Sequence, residues 1–299
     1  MDVRQLRYFL AIAEEEQITR AAQRLHMAQP PLSHQLKLLE QELGVQLVER
    51  LGRKLKLTEA GRTLQRRAEQ IVGLMEATVS EIVEHESGIR GTLSIGTVAT
   101  TGSTLLPERI RAFHQRYPMV HFQLWEGNTH QITQLLERRT IEVGIVRLPI
   151  DDTKLYDMIR LPTEPLVAAV SHNWNQGESD SPIRLSDLAD LPLMLLRRQQ
   201  GTSIYEQTVE ACQLAGFEPR VLCESADIMT LLTLAEAGVG ITIVPKSAVS
   251  LRTSTRLRFR EIVEPSLEST AAVIWLRYRV LSTPARRFIE TISPTSTEL

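Results

Sequence analysis

Four polar side chains early in the chain have the types and the spacing to read a nucleic acid. Gln29, Ser33, His34 and Lys37 recur within the run QPPLSHQLKLLEQEL. An amide, a hydroxyl, an imidazole and an ammonium group together match the donors and acceptors that bases present in a major groove. Leu32, Leu36, Leu39 and Leu43 interleave with them three or four residues apart, so a helix over about Gln29–Leu43 buries the leucines and displays the polar set. Pro30 and Pro31 suit the first turn of that helix, where no N–H partner is needed. A shorter helix, about Ile18–Leu25, precedes it with Ala21, Ala22 and Leu25 on one face. An ordinary helical hairpin with a solvated polar face has the same pattern. The residues that follow favour the nucleic-acid reading. Gly44 stops the second helix, and VQLVERLGRKLKLT supplies two short strand-like runs around Leu51-Gly52-Arg53. Arg50, Arg53, Lys54 and Lys56 crowd that hairpin. Arg62, Arg66 and Arg67 extend the basic patch on a chain whose net charge is only −2. A basic hairpin beside a recognition helix is a winged helix-turn-helix, its charges facing phosphate.

A second group of residues could hold a small anion. Thr100-Thr101-Gly102-Ser103-Thr104, Gly127-Asn128-Thr129 and Gln200-Gly201-Thr202-Ser203 each follow a strand or open a helix. Such loops set hydroxyl and amide groups beside free backbone N–H donors. Taken singly, each is also explained by helix capping. Arg147, at the end of the strand-like EVGIVRLP, adds a fixed positive charge that can clamp a carboxylate, or else form a surface salt bridge. Leu148, Ile204 and Ile228 are apolar neighbours that could flank a ligand. The ligand this set favours is a small organic acid, aromatic acids included.

These residues need elements to position them. Asp2–Glu14 predicts a first helix with Leu6, Phe9, Leu10 and Ala13 buried. Thr58 caps a long helix over about Glu59–Glu86. On it Leu64, Ala68, Ile71, Met75, Thr78 and Ile82 follow the spacing of an a/d seam, which predicts pairing between chains. Packing on its own domain is the alternative. After a hinge at Ser87–Gly91 the period changes to strands alternating with helices, which implies βαβ units around a parallel sheet. The expected domains are 1–58 for the winged helix-turn-helix, 59–90 for the linker helix and hinge, and 91–299 for a two-lobed α/β domain. Its first lobe is 91–161 with 267–299 and its second is 162–266. The lobes would be joined by crossings near Leu161 and after Val263, and ligands bind such sheets beyond the strands' carboxyl ends.

The stretches QLRYFLAIAEE, ITRAAQRLHMAQPPLSHQLKLLEQELGVQLVER and LTEAG resemble the N-terminal domain of the LysR-type transcriptional regulators. The resemblance covers about the first sixty residues, with weaker motifs continuing to the C-terminus. It implies that Gln29, Pro30, Ser33, His34 and Lys37 approach DNA, with Arg50, Arg53 and Lys54 on the wing. His34 stands where this family often has Arg, which implies a weaker or pH-dependent contact. The resemblance also implies a two-lobed effector domain like the type 2 periplasmic solute-binding proteins, with effector contacts at Thr100, Thr101, Asn128, Thr129, Arg147, Thr202 and Ser203. The implied partners are double-stranded promoter DNA, a second or further copies of the chain as homodimer or homotetramer, and RNA polymerase if the regulator activates.

Composition narrows the remaining classes. The chain has 299 residues, 42% of them hydrophobic, which supports two or three domains with real cores. Met1 leads straight into a helix, and no apolar run is long enough for a bilayer, so a cytoplasmic, non-membrane protein is expected. Cys212 and Cys223 suit a reducing compartment. They could form a switch disulfide, but their places on a helix stripe and in a strand favour a structural role. The seven histidines show no metal-ligand spacing, and no Ser or Cys nucleophile has an evident base, so neither cofactor, metal nor catalysis is expected. A cytosolic small-molecule binding protein remains the alternative, though it leaves Gln17–Arg67 without a role. An enzyme on an α/β scaffold is more distant still.

Overall fold

The computed structural model describes residues 1–51, 54–87, 89–173, 181–197, 204–251 and 256–292, with backbone alone at 50, 51, 80, 81 and 83–87. The chain divides into two units, Met1–Gly88 with Tyr278–Thr283, and Ile89–Arg277 with Pro284–Leu299.

In the first unit, helix α1 (Val3–Glu15) starts at a capping box. The Asp2 side chain accepts from the Gln5 N–H, and the Gln5 side chain accepts from the Asp2 N–H. Helices α2 (Ile18–Arg24) and α3 (Gln29–Leu43) follow, joined through His26 in the left-handed region. Phe9, Ile12, Ala21, Ala22, Leu32, Leu36 and Leu39 close a core with Leu47 and Leu55. Leu43 is exposed, because Gly44 ends the helix there with φ 68° and the stripe has no further turn to cover. Strands β1 (Val48–Leu51) and β2 (Lys54–Leu57) pair antiparallel, Leu51 opposite Lys54.

Helix α4 (Glu59–Ser87) begins where the Gly61 N–H donates to the Thr58 hydroxyl. Its apolar seam is divided between packing on its own domain and exposure. Ala68 and Val72 are buried with Leu6 and Leu10 of α1, and Leu64 packs on the same cluster. Leu64 and Ala68 therefore serve the unit's own core. Ile71, Met75 and Ile82 are exposed, as are Leu74 and Val79. On α4 a Cβ at Gly73 would lie 3.0 Å from the Cβ of Val280, which belongs to the short returning segment of this unit.

Among the described residues the second unit holds two sheets. Strands β3 (Gly91–Thr97), β4 (Val120–Glu126), β5 (Val143–Arg147) and β6 (Tyr156–Arg160) come first, with helices α5 (Ala99–Arg116) and α6 (Thr129–Glu137) between them. The chain then crosses to β7 (Glu164–Ser171), β8 (Ile183–Arg184), β9 (Leu193–Leu196), α7 (Ile204–Leu214), β10 (Val221–Ser225), α8 (Ile228–Glu236), β11 (Ile241–Pro245), β12 (Leu257–Val263) and β13 (Glu268–Ser269). It returns through β14 (Ala271–Leu276) to α9 (Thr283–Ile292). The first sheet has the order β4-β3-β5-β14-β6 and the second β10-β9-β11-β7-β12-β8, with β13 on β7.

The sheets are mixed, where the alternation of strands and helices predicted parallel ones. Strand β14 runs antiparallel to β5 and β6, and β7 antiparallel to β11 and β12. Both are the strands that arrive from the other sheet. They enter without a crossover helix behind them, and so run against their neighbours. Helix α5 begins at Ala99, so Thr100–Thr104 forms its first turns and not the loop expected there. Gly102 makes this possible, since a Cβ there would sit 2.5 Å from Cγ2 of Thr97. No helix among the described residues is long and apolar enough to cross a membrane.

Candidate nucleic-acid interface and effector site

The face of α3 opposite its buried leucines carries Gln29, Pro30, His34 and Lys37, all exposed, with Ser33 half-buried. The first turn has no acidic residue, and its N-cap, Ala28, offers no side-chain acceptor. The N-terminal end of the helix keeps a favourable potential for phosphate or base acceptors, although Pro30 and Pro31 contribute no N–H donors to it. The wing is fixed to this helix by Glu40, whose carboxylate accepts from the N–H of Leu47 at 2.8 Å and of Val48 at 3.3 Å. The Leu55 N–H donates to the Glu16 carbonyl at 2.7 Å and ties the wing to the end of α1. Alternation along β2 then buries Leu55 and exposes Lys54 and Lys56. The side chain of Arg50 and the whole of Arg53, both expected on the wing, lie outside the described residues.

In the second unit the expected anion site is brought together only in part. Arg147 ends β5, and its backbone is held by Thr129. The Arg147 N–H donates to the Thr129 hydroxyl at 3.3 Å, and that hydroxyl lies 3.3 Å from the Arg147 carbonyl, to which it donates. The guanidinium is neither an open clamp nor a surface salt bridge. Nη1 donates to the Ser269 hydroxyl at 2.6 Å and lies 3.6 Å from Oε1 of Glu164. Nη2 is buried and finds no hydrogen-bond partner among the described residues. Only 13% of the Arg147 side-chain surface is exposed. Burial draws the Arg147 pKa down from its ordinary value, and the nearby negative charge of Glu164 opposes that shift.

Glu164 is itself held by Ser247, whose N–H donates to Oε2 at 2.7 Å and whose hydroxyl donates to Oε1 at 3.1 Å. Thr100 and Thr101 are buried in the first turn of α5, and the Thr101 hydroxyl has no partner among the described residues. Asn128 is committed elsewhere. Its side chain caps α6 by accepting from the Gln131 N–H at 2.8 Å, and Gln131 reciprocates at 2.9 Å. Thr202 and Ser203 lie outside the described residues. Ile204 and Ile228, expected to flank a ligand, are buried in the apolar clusters beneath the second sheet. Leu148 is partly buried against the core of the first.

Sequence reasoning missed Glu164, Ser247 and Ser269. An acid opening the otherwise apolar strand EPLVAAVS was the one available signal, because a buried guanidinium requires a countercharge. Cys212 and Cys223 are both free, and burial pushes the Cys212 thiol up to about 11. No group of three or more His, Cys, Asp or Glu residues suited to a metal ion occurs among the described residues.

A winged helix-turn-helix joined to an α/β domain with a buried polar site defines a class: DNA-binding regulators controlled by a small molecule. Comparison with known proteins gives the family. Residues 3–62 match the bacterial regulatory helix-turn-helix proteins of the lysR family, and residues 86–295 match the LysR substrate binding domain. The HTH-type transcriptional regulator BsdA of Bacillus subtilis is 36% identical over 292 residues, covering 97% of this chain and 99% of that relative. The HTH-type transcriptional regulator BenM of Acinetobacter baylyi is 34% identical over 254 residues, 84% of this chain and 83% of its own length. The crystal structure of CbnR, a LysR family transcriptional regulator, covers 98% of this chain and 100% of its own at TM-score 0.60 and 30% identity. CbnR has also been solved as a full-length chain complexed with its target DNA, similar at TM-score 0.58 and 30% identity over 97% of this chain and 98% of that one. The chain belongs to the LysR family of transcription regulators and is an effector-controlled DNA-binding protein. The alternative of a binding protein without a DNA-reading role gives way to the helix-turn-helix match. The relatives named here are regulators and not enzymes.

Proposed function

We propose that the effector is a small organic acid whose carboxylate is received by Arg147. Thr100, Thr101 and Thr129 would line the site, and Thr202 and Ser203 would complete it. Asn128 would contribute through the helix end that it caps. One observation carries this reading: Nη2 of Arg147 is a buried charged donor with no partner among the described residues. Leaving such a donor unfilled costs about 1–3 kcal/mol or more, and a ligand acceptor removes that cost.

At the other end of the chain, Gln29, Pro30, Ser33, His34 and Lys37 would read promoter DNA while Arg50, Arg53 and Lys54 hold phosphates. The exposed row of Ile71, Met75 and Ile82 on α4, with Leu74 and Val79, supports a homodimer or homotetramer paired through that helix. Such a regulator works in the cytoplasm, beside its DNA, and would meet RNA polymerase there if it activates. The test is a thermal-shift screen of organic acids and their neutral amides against the whole chain, followed by footprinting with any hit. Arg147→Ala should keep basal DNA binding and lose the ligand-dependent change. Stabilisation by amides alone, or an Arg147→Ala chain that responds at the wild-type ligand concentration, would overturn the reading.

A further inference from the structure

Among the described residues, five buried side-chain atoms lack a hydrogen-bond partner: Thr101 Oγ1, Arg147 Nη2, Gln207 Oε1, Thr208 Oγ1 and Thr242 Oγ1. Arg147 alone carries a charge, and the way that charge is met is unusual. A carboxylate that clamps a guanidinium takes two parallel N–H···O bonds at about 2.7–2.9 Å. Glu164 does not. Its Oε1 stands 3.6 Å from Nη1, beyond hydrogen-bonding distance, while both its oxygens are occupied by Ser247 at 2.7 and 3.1 Å. Nη1 is meanwhile given to Ser269 at 2.6 Å. The guanidinium is therefore paired in charge but left with Nη2 unfilled in hydrogen bonds.

We propose that Glu164 is a built-in competitor for the effector's carboxylate: it neutralises Arg147 from a post set by Ser247, and an incoming acid that takes Nη2 must bind against its charge. This rests on the organic-acid reading above. Three consequences are physical. The attraction of Arg147 for an acid is reduced by an anion already beside it, so the site answers to ligands that add a real hydrogen bond at Nη2 and not to anions in general. Next, the competition is a matter of charge, so it acts on a carboxylate and leaves its neutral amide untouched. Lastly, the weakened contact joins two parts of the second unit. Arg147 ends a strand of the five-stranded sheet, whereas Glu164 opens β7 and Ser247 follows β11 in the other sheet. A second carboxylate at Nη2 weakens the hold of Arg147 on Glu164, an ion pair between the sheets, and a ligand shifts a conformational equilibrium only through such a difference between states.

The experiment measures binding of benzoate and of benzamide to the full-length chain by calorimetry. The proteins are wild type, Glu164→Gln, Glu164→Asp and Ser247→Ala, with tryptophan fluorescence confirming the fold of each. Glu164→Gln keeps the shape and removes the charge. It should bind benzoate roughly ten-fold more tightly or better, because like charges a few ångströms apart in a partly buried site repel by at least that factor. Benzamide should show no such gain. Glu164→Asp retains the charge and should stay within about three-fold of wild type, well short of one decade. Ser247→Ala loosens the post without removing the charge and should give a smaller gain than Glu164→Gln. It also carries the test if Glu164→Gln does not fold. Wild-type or weaker benzoate binding by a folded Glu164→Gln, or an equal gain for benzamide, overturns the role of Glu164 and leaves the organic-acid site standing. Absence of benzoate binding in every protein overturns both.

Discussion

Replacing Gly61 with alanine should unseat the wing. Gly61 lies in the first turn of α4, and a Cβ there would be 2.0 Å from the carbonyl oxygen of Leu47 and 3.3 Å from Cδ2 of Leu57. Ordinary C···O contact begins near about 3.3 Å, so the carbonyl would have to retreat by roughly 1.3 Å. It is not free to do so. That oxygen accepts from the Thr58 N–H at 3.0 Å, and the Leu47 N–H is held by Glu40 at 2.8 Å. Overpacking of this kind costs about 1–3 kcal/mol, and the lost Thr58 bond about 1 kcal/mol more. Alanine's better helix propensity returns about 1 kcal/mol. The net expectation is destabilisation by about 2 kcal/mol, which lowers a urea midpoint by about 1 M for a domain of this size. The three tryptophans, Trp125, Trp174 and Trp275, all lie outside Met1–Gly88, so fluorescence follows the second unit. Far-UV circular dichroism should therefore show an earlier helical transition while the fluorescence transition stays in place. DNA affinity should fall with the displaced wing. A Gly61→Ala chain with the wild-type dichroism midpoint and wild-type DNA affinity would refute the reasoning, by showing that the Leu47 carbonyl moves at no cost.

Other outcomes follow from the same structure. Ile71→Glu with Met75→Lys places charge on the exposed row of α4, so sedimentation should find smaller species with the fold retained; unchanged assembly removes the pairing claim. Asp227 caps α8 by accepting from the N–H groups of Met229 and Thr230, both at 3.0 Å, and from the Thr230 hydroxyl at 2.6 Å. That hydroxyl leads the causes holding the Asp227 pKa below its ordinary value. The cap's contribution is therefore complete above the ordinary carboxylate range and lost as pH falls through the lowered value. Asp227→Ala should cost about 1 kcal/mol at neutral pH, a solvent-exposed cap, with the difference from wild type vanishing in acid. An equal difference at every pH would count against it. A thiol reagent at pH 8 should label Cys223 readily and Cys212 only after denaturant, since Cys212 is fully buried with its thiol raised to about 11. Equal labelling rates would contradict this.

The recognition helix could be read from sequence because its signal is local. Leu32, Leu36 and Leu39 lie on one face within a single element, and Gly44 marks its end. The effector site is less legible because its partners are joined across long separations. Nothing near Arg147 in the chain announces Ser269 or Glu164, and Ser247 reaches Glu164 only because β11 and β7 are paired. Helix α4 falls between these cases. Its period predicted an apolar seam, but period alone does not say which turns meet α1 and which stay exposed. Strands β6 and β12 carry little signal of their own. Each is a short alternating segment beside a crossing, and each is stabilised by the sheet that receives it more than by its own composition.

Val280 seated on Gly73 bears on how this protein could be recombined. A chimera that grafts a foreign sensor onto this reader by a single cut after residue 88 would also import, some two hundred residues later, a stranger's residue at position 280. A Cβ at Gly73 would stand only 3.0 Å from that of Val280, so the imported side chain must fit a tight seat shaped for valine. The reader is thus a discontinuous module. A graft that carries Tyr278–Thr283 along with Met1–Gly88 keeps the matched pair together. A library of such chimeras should sort by that hexapeptide before it sorts by anything in the sensor's pocket.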